Sequence, residues 1–105
     1  MKTLTMSDLH SVMKTLTTDA LILDVRTQAE FSEGHVPGAA NIPVDQVMVH
    51  AEELKKFKNI YIYCRAGARA ETACDILSSM GVKGLSCVDQ GGFPNWQQAG
   101  FETET

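Results

Sequence analysis

The sequence has no unbroken apolar stretch near the roughly 18–20 residues that a helical bilayer crossing needs, so a transmembrane helix is not expected. Its first ten residues hold one lysine and no apolar core, so they do not read as a secretory leader. Positive charge is scarce. Lys+Arg number 9 against 13 Asp+Glu, a formal net charge of −4. That balance argues against general binding of nucleic acid or of an acidic membrane surface, and any anion must be held by a local site. The 3 cysteines, Cys64, Cys74 and Cys87, form no Cys-x-x-Cys pair, which removes zinc-knuckle and dithiol readings. An odd set without an export signal points to free thiols in a reducing, cytoplasmic setting.

What is present suits one folded unit. The 105 residues, 44% apolar and 21% charged, fit a single domain over 1–105 rather than a disordered chain. Thr5 and Asp8 have capping-box spacing, and Leu9, Val12, Met13 and Leu16 follow on one helical face. Leu21 to Val25 is a short apolar run that predicts a buried strand. Thr27 and Glu30 form a second capping box, opening a short helix that ends before Gly34. Gly34 to Gly38 reads as a loop, and Asn41 to Pro43 as a short edge strand. Val44, Val47, Met48, Ala51 and Leu54 recur at helical spacing, and Asn59 to Tyr63 predicts a central strand. Ala73, Ile76, Leu77 and Met80 mark another helix, stopped by Gly81. Leu85 to Val88 predicts a last strand, Gly91 to Pro94 a loop, and Asn95 to Ala99 a terminal helix. Strands alternating with helices imply an α/β fold with a mostly parallel sheet covered on both faces. Ligands in such sheets bind at the carboxyl ends of strands.

Chemistry concentrates at one such end. Cys64-Arg-Ala-Gly-Ala-Arg69 follows the central strand and runs directly into a helical pattern. A short strand-to-helix loop turns backbone N–H groups inward and makes an anion-binding concavity. Ala66, Gly67 and Ala68 are small enough to let the chain close around a centre, while Arg65 and Arg69 add positive charge. Helix N-termini and neighbouring cations favour thiolate over thiol, so Cys64 is the candidate nucleophile and needs no histidine base. The rest of the loop, Arg65, Ala66, Gly67, Ala68 and Arg69, is the candidate substrate-binding set.

Other groups have plainer readings. Asp24 and Arg26 stand at the end of the predicted Leu21–Val25 strand, as supports for the site or as a structural ion pair. His35 is read as a loop hydrogen-bonding residue, and Phe93 and Trp96 as packing groups near the loop. Cys74 is read as an inert thiol. Cys87, placed at the end of the last strand, has resolving chemistry only as a minor alternative.

The chain resembles the single-domain rhodaneses of the sulfurtransferase family. Three segments carry the likeness: Ile22 to Arg26 with Glu30, Phe31 and Gly34 to Ala39; the Cys64–Arg69 loop; and Gly91-Gly-Phe-Pro94 with Trp96. The resemblance spans Leu4 to Gly100. It implies a three-layer fold whose five-stranded, mainly parallel sheet is flanked by helices. It implies further that Cys64 takes the sulfane sulfur of thiosulfate or a related small anionic donor, becomes a persulfide, and passes the sulfur to a thiol or cyanide. A thioredoxin-like or other protein is an alternative acceptor. No metal and no organic cofactor are implied, and neither nucleic acid nor membrane is a partner.

Two alternatives stay open. A phosphatase or arsenate reductase on a related fold places five residues between cysteine and arginine, whereas four separate Cys64 from Arg69. The shorter ring suits a sulfur atom better than a tetrahedral oxyanion. A persulfide relay or a non-catalytic interaction module is the second. Retention of Cys64 argues against inactivity and leaves the relay standing.

Overall fold

The computed structural model describes residues 1–105. In chain order the elements are β1 (Lys2–Thr5), α1 (Met6–Met13), β2 (Ala20–Asp24), α2 (Gln28–Glu33) and β3 (Ala40–Asn41). A 3-10 helix (Val44–His50) leads into α3 (Ala51–Leu54), followed by β4 (Asn59–Tyr63), α4 (Ala68–Ser79), β5 (Leu85–Gln90) and α5 (Phe93–Gln98). The five strands form one sheet in the order β1-β5-β4-β2-β3. Every neighbouring pair is parallel. The fold is α/β, and β4 is its central strand, as the β-rich run at 59–63 predicts.

Strand periodicity divides the core in two. Ile60 and Ile62 of β4 join Leu23, Val25, Leu85 and Cys87 on the face covered by the 3-10 helix, α3 and α4. Tyr61 and Tyr63 point the other way and meet Ile22, Val88, Met6, Leu9, Phe93 and Trp96, with α1 and α5 as the cover. Helices therefore cover both faces of the sheet, which explains the apolar residues on both sides of its central strands. Each fully buried Leu, Ile or Val contributes about 1.5–3 kcal/mol.

Local signals decide where helices start and stop. The Thr5 side chain accepts from the Asp8 N–H while Asp8 accepts from the Thr5 N–H, and Thr27 and Glu30 repeat the arrangement. Gly81, at φ +87°, ends α4: its N–H donates to Ser78 and the Val82 N–H reaches back to Leu77. This is a Schellman closure, with buried Val82 and Leu77 supplying its apolar contact.

Several boundaries differ from the sequence expectation. β1 carries no apolar pattern and was not expected. It pairs with β5 alone, and its place is set by backbone hydrogen bonds at the sheet edge. The first helix stops at Met13, leaving Leu16 beyond it and 37% exposed. The stretch from Val44 winds as a 3-10 helix before α3, so Met48 turns outward at 56% exposure despite its spacing. The edge strand sits at Ala40–Asn41 rather than Asn41 to Pro43, because Pro43 has no N–H to pair. β5 continues past Val88 to Gln90, so Cys87 lies inside the strand. Phe93 and Pro94 open α5 rather than belonging to the preceding loop, since proline is tolerated in a first helical turn.

Candidate active site

β4 ends at Tyr63, and the chain passes through Cys64 to the first turn of α4 within four residues. Gly67 makes that turn possible. Its φ of +107° disfavours any L side chain, and a Cβ there would collide with the backbone carbonyl of Asp89. The turn aims two amides at one atom. Cys64 Sγ accepts hydrogen bonds from the N–H of Gly67 at 3.0 Å and of Ala70 at 3.3 Å. Ala70 is the third helical residue of α4, so the sulfur fills the place that a Ser or Asp oxygen takes in an ordinary N-cap. Donors of this kind, at the positive end of a helix, stabilise an acceptor most when it is an anion.

Cys64 is 1% exposed and lies at the floor of its loop. A second loop clamps that floor from above. The Phe93 N–H donates to the Cys64 carbonyl at 3.0 Å, and Gly92 lies so close that a Cβ would strike the carbonyls of Cys64 and Arg65. Beside the loop is an open depression of about 330 Å³, lined by Arg26, Glu30, Glu33, Arg65, Phe93 and Gln97 among others. Ala66 and Ala68 are exposed. Of the loop residues named from sequence, Gly67 alone brings an N–H to the sulfur.

The arginines differ in state. Arg65 is exposed and makes no ion pair. Arg69 is held by Glu30 through two contacts, Nη1 to Oε1 at 2.7 Å and Nη2 to Oε2 at 3.1 Å. That pairing, with help from Thr27, holds the Glu30 carboxyl near a pKa of about 2 against burial, which pulls the other way. It also raises the Arg69 pKa, the Glu30 hydrogen bond outweighing burial.

Asp24 and Arg26 form a buried pair. Arg26 Nε lies 3.0 Å from both Asp24 oxygens and Nη2 lies 2.8 Å from Oδ2. Nη2 also donates to the Gly34 carbonyl at 2.7 Å, and the guanidinium sits 4.4 Å from the centre of the Phe93 ring. The pair thereby fastens the end of β2 to the 34–38 loop and to α5, one wall of the depression. His35 plays the loop role expected of it, with Nδ1 at 2.8 Å from the Phe31 carbonyl and its ring stacked on Phe31. Trp96 is buried and donates Nε1–H to Glu102.

The remaining thiols lie behind the site. Cys74 and Cys87 are free and buried with Cys64 in one cluster. Burial pushes the Cys87 thiol up to about 11 and raises Cys74 as well.

Sequence reasoning missed two contributors. Ala70 carries no chemical signal in its side chain, and only the helix start at Ala68 places its amide on the sulfur. Glu30 was visible as a capping residue, and its second task, holding Arg69 across 39 positions of sequence, is tertiary.

With this geometry in view, the comparisons agree. The rhodanese-like domain family matches residues 5–99. A sulfurtransferase of Allochromatium vinosum is 36% identical over 85 residues, covering 81% of this chain and 78% of that protein. A rhodanese-like domain protein of Staphylococcus aureus superposes with a TM-score of 0.82 at 28% identity over 100% of both chains. A rhodanese-related protein of Thermoplasma volcanium gives 0.84 at 25% identity, covering 99% of this chain and 98% of that one. The chain belongs to the rhodanese-like sulfurtransferase family, and its five-stranded parallel sheet with flanking helices is that family's fold. No helix is long and apolar enough to cross a membrane.

Proposed function

We propose that this protein transfers a sulfane sulfur from thiosulfate or a related small donor to a thiophilic acceptor, with Cys64 as the carrier. The observation that carries the reading is the pair of amides converging on Cys64 Sγ. In the first step the Cys64 thiolate attacks the outer sulfur of the donor. The donor's S–S bond breaks, its electron pair leaves with sulfite, and Cys64 holds a persulfide anion. In the second step a thiolate or cyanide attacks the terminal sulfur, and the Cys64 thiolate is regenerated. Electrons balance within sulfur, so no outside oxidant or reductant enters. The scheme is a double displacement and predicts ping-pong kinetics.

The backbone N–H groups of Gly67 and Ala70 hold the charge in both forms. Arg65, Ala66, Gly67, Ala68 and Arg69 form the donor-facing loop, with Arg65 as its unpaired cation. Asp24 and Arg26 are positioning residues, acting through Gly34 and Phe93. The acceptor is a small thiol, or a protein thiol such as that of a thioredoxin-like partner. Three free thiols suit a reducing, cytoplasmic setting.

Intact-mass measurement before and after thiosulfate tests the proposal. The expected result is a gain of one sulfur atom, mapped to the Cys64 peptide and discharged by cyanide. No gain from thiosulfate or from an alkyl persulfide, or a gain on Cys87 that survives Cys64→Ala, overturns it.

A further inference from the structure

The loop is expected from sequence to trap anions by virtue of two arginines, and the tertiary structure cancels one of those two charges. Around the depression, Arg26 is matched by Asp24 at 2.8 Å and Arg69 by Glu30 at 2.7 Å. Arg65 is unpaired, and Glu33 stands on the same wall without a partner. Arg26 and Arg65 on the lining are balanced by Glu30 and Glu33, and the ion-pair partners behind them, Asp24 and Arg69, also cancel, so the cleft is formally neutral. The whole chain carries −4, so no long-range field makes up the difference.

This arrangement sets which donor the cleft favours. Thiosulfate is a compact dianion that must shed much of its hydration to bring its outer sulfur to Cys64. A neutral cleft offers it only Arg65 and the loop amides in return. An alkyl persulfide bears its transferable sulfur on a neutral or singly charged group and meets a smaller penalty. A zwitterionic one also has an ammonium to set against Glu33.

We propose that Glu30 is a specificity-determining residue: by neutralising Arg69 it turns the cleft away from dianionic thiosulfate and toward small alkyl persulfides of low net charge. The inference rests on Cys64 being the sulfur carrier. For such a donor, the Cys64 thiolate attacks the terminal sulfur of R–S–SH. The S–S bond breaks, R–S⁻ leaves with the electron pair, and Cys64–S–SH forms with the donor's proton. Charge and atoms balance without a further reactant.

The test compares single-turnover sulfur loading of Cys64, read by quenched-flow mass spectrometry, with thiosulfate and with cysteine persulfide. The readout is the ratio of the two rate constants, so a general change in Cys64 reactivity or folded fraction cancels. Glu30→Gln keeps an oxygen for the Thr27 cap and releases Arg69. It is expected to raise the thiosulfate-to-persulfide ratio about fivefold, the worth of roughly one partly screened charge. Arg69→Gln, which strands Glu30, is expected to lower the ratio, and Glu30→Gln combined with Arg69→Gln returns it near the wild-type value. A ratio that Glu30→Gln leaves unchanged or lowers, while Cys64 still loads, overturns this inference and leaves the carrier role intact. Failure of both donors to load Cys64 in the wild-type protein overturns both.

Discussion

Gly92 and Cys64 touch through their backbones. The Cys64 carbonyl occupies the space where a side chain at position 92 would begin, and the next amide, Phe93 N–H, bonds to that same carbonyl. The sulfur-bearing loop is therefore held from two sides, by α4 beneath and by the β5–α5 turn above. Gly92 has an extended backbone, so the requirement is for room and not for an unusual φ. Gly92→Ala is expected to cost about 1–3 kcal/mol, as overpacking does elsewhere, and to displace the Cys64 loop. Urea denaturation together with the rate of sulfur loading checks this. Unchanged values for both would mean that the clamp is immaterial.

The three thiols are expected to separate by reactivity. Cys87 is pushed up by burial to about 11 and Cys74 is raised by the same cause. At about pH 8 both remain thiols, and the thiolate is the form that reacts. Brief iodoacetamide treatment of the native protein, followed by peptide mapping, is expected to label Cys64 first. The same shifts carry a stability term. Both folded values exceed the unfolded 9.0, so the contribution is intact below that pH and is lost as pH rises through about 11. Label appearing first on Cys87 would contradict the burial argument.

Acid acts through Glu30. Its folded value of about 2 lies below the unfolded 4.5, so its contribution is present above pH 4.5 and disappears as pH falls toward 2. The side chains of Arg69 and Glu30 are 34% and 28% exposed, and solvent screening limits the pair to about 1 kcal/mol or less. The stability gap between wild type and Glu30→Gln, measured by urea titration, is expected to be constant near neutrality and to close in acid. A gap that widens in acid would refute the assignment.

Removing one member of the buried Asp24–Arg26 pair strands the other. Asp24→Asn leaves a guanidinium that is 5% exposed with the Gly34 carbonyl as its main remaining acceptor. The expected loss is about 3–5 kcal/mol. Arg26→Lys is expected to recover little of the Arg26→Ala loss, since an ammonium cannot make the two-pronged contact or lie flat on Phe93. Equal stability of Arg26→Lys and wild type in denaturant titration would show the geometry to be dispensable.

The sequence was most legible where signals are local. Capping boxes at Thr5 and Thr27, the stop at Gly81 and the apolar alternation of β4 each act within a few residues, and each stands where it was read. Cys64 and Gly67 were legible for the same reason: a thiol, small residues and a helix start occur together within one turn. Leu16, Met48 and β1 were misread or missed because burial and edge pairing depend on what packs against a segment, which periodicity alone does not encode.

By itself, then, the order of residues determined the alternation of strands and helices, the parallel sheet it requires, and the identity of the sulfur at its carboxyl edge. Tertiary structure alone decided which amides meet that sulfur, that Gly92 must leave space for the Cys64 carbonyl, and that Glu30 cancels Arg69. Backbone propensity and capping act over one or two turns of chain, whereas charge compensation and close packing act over ångströms of space between residues far apart in sequence.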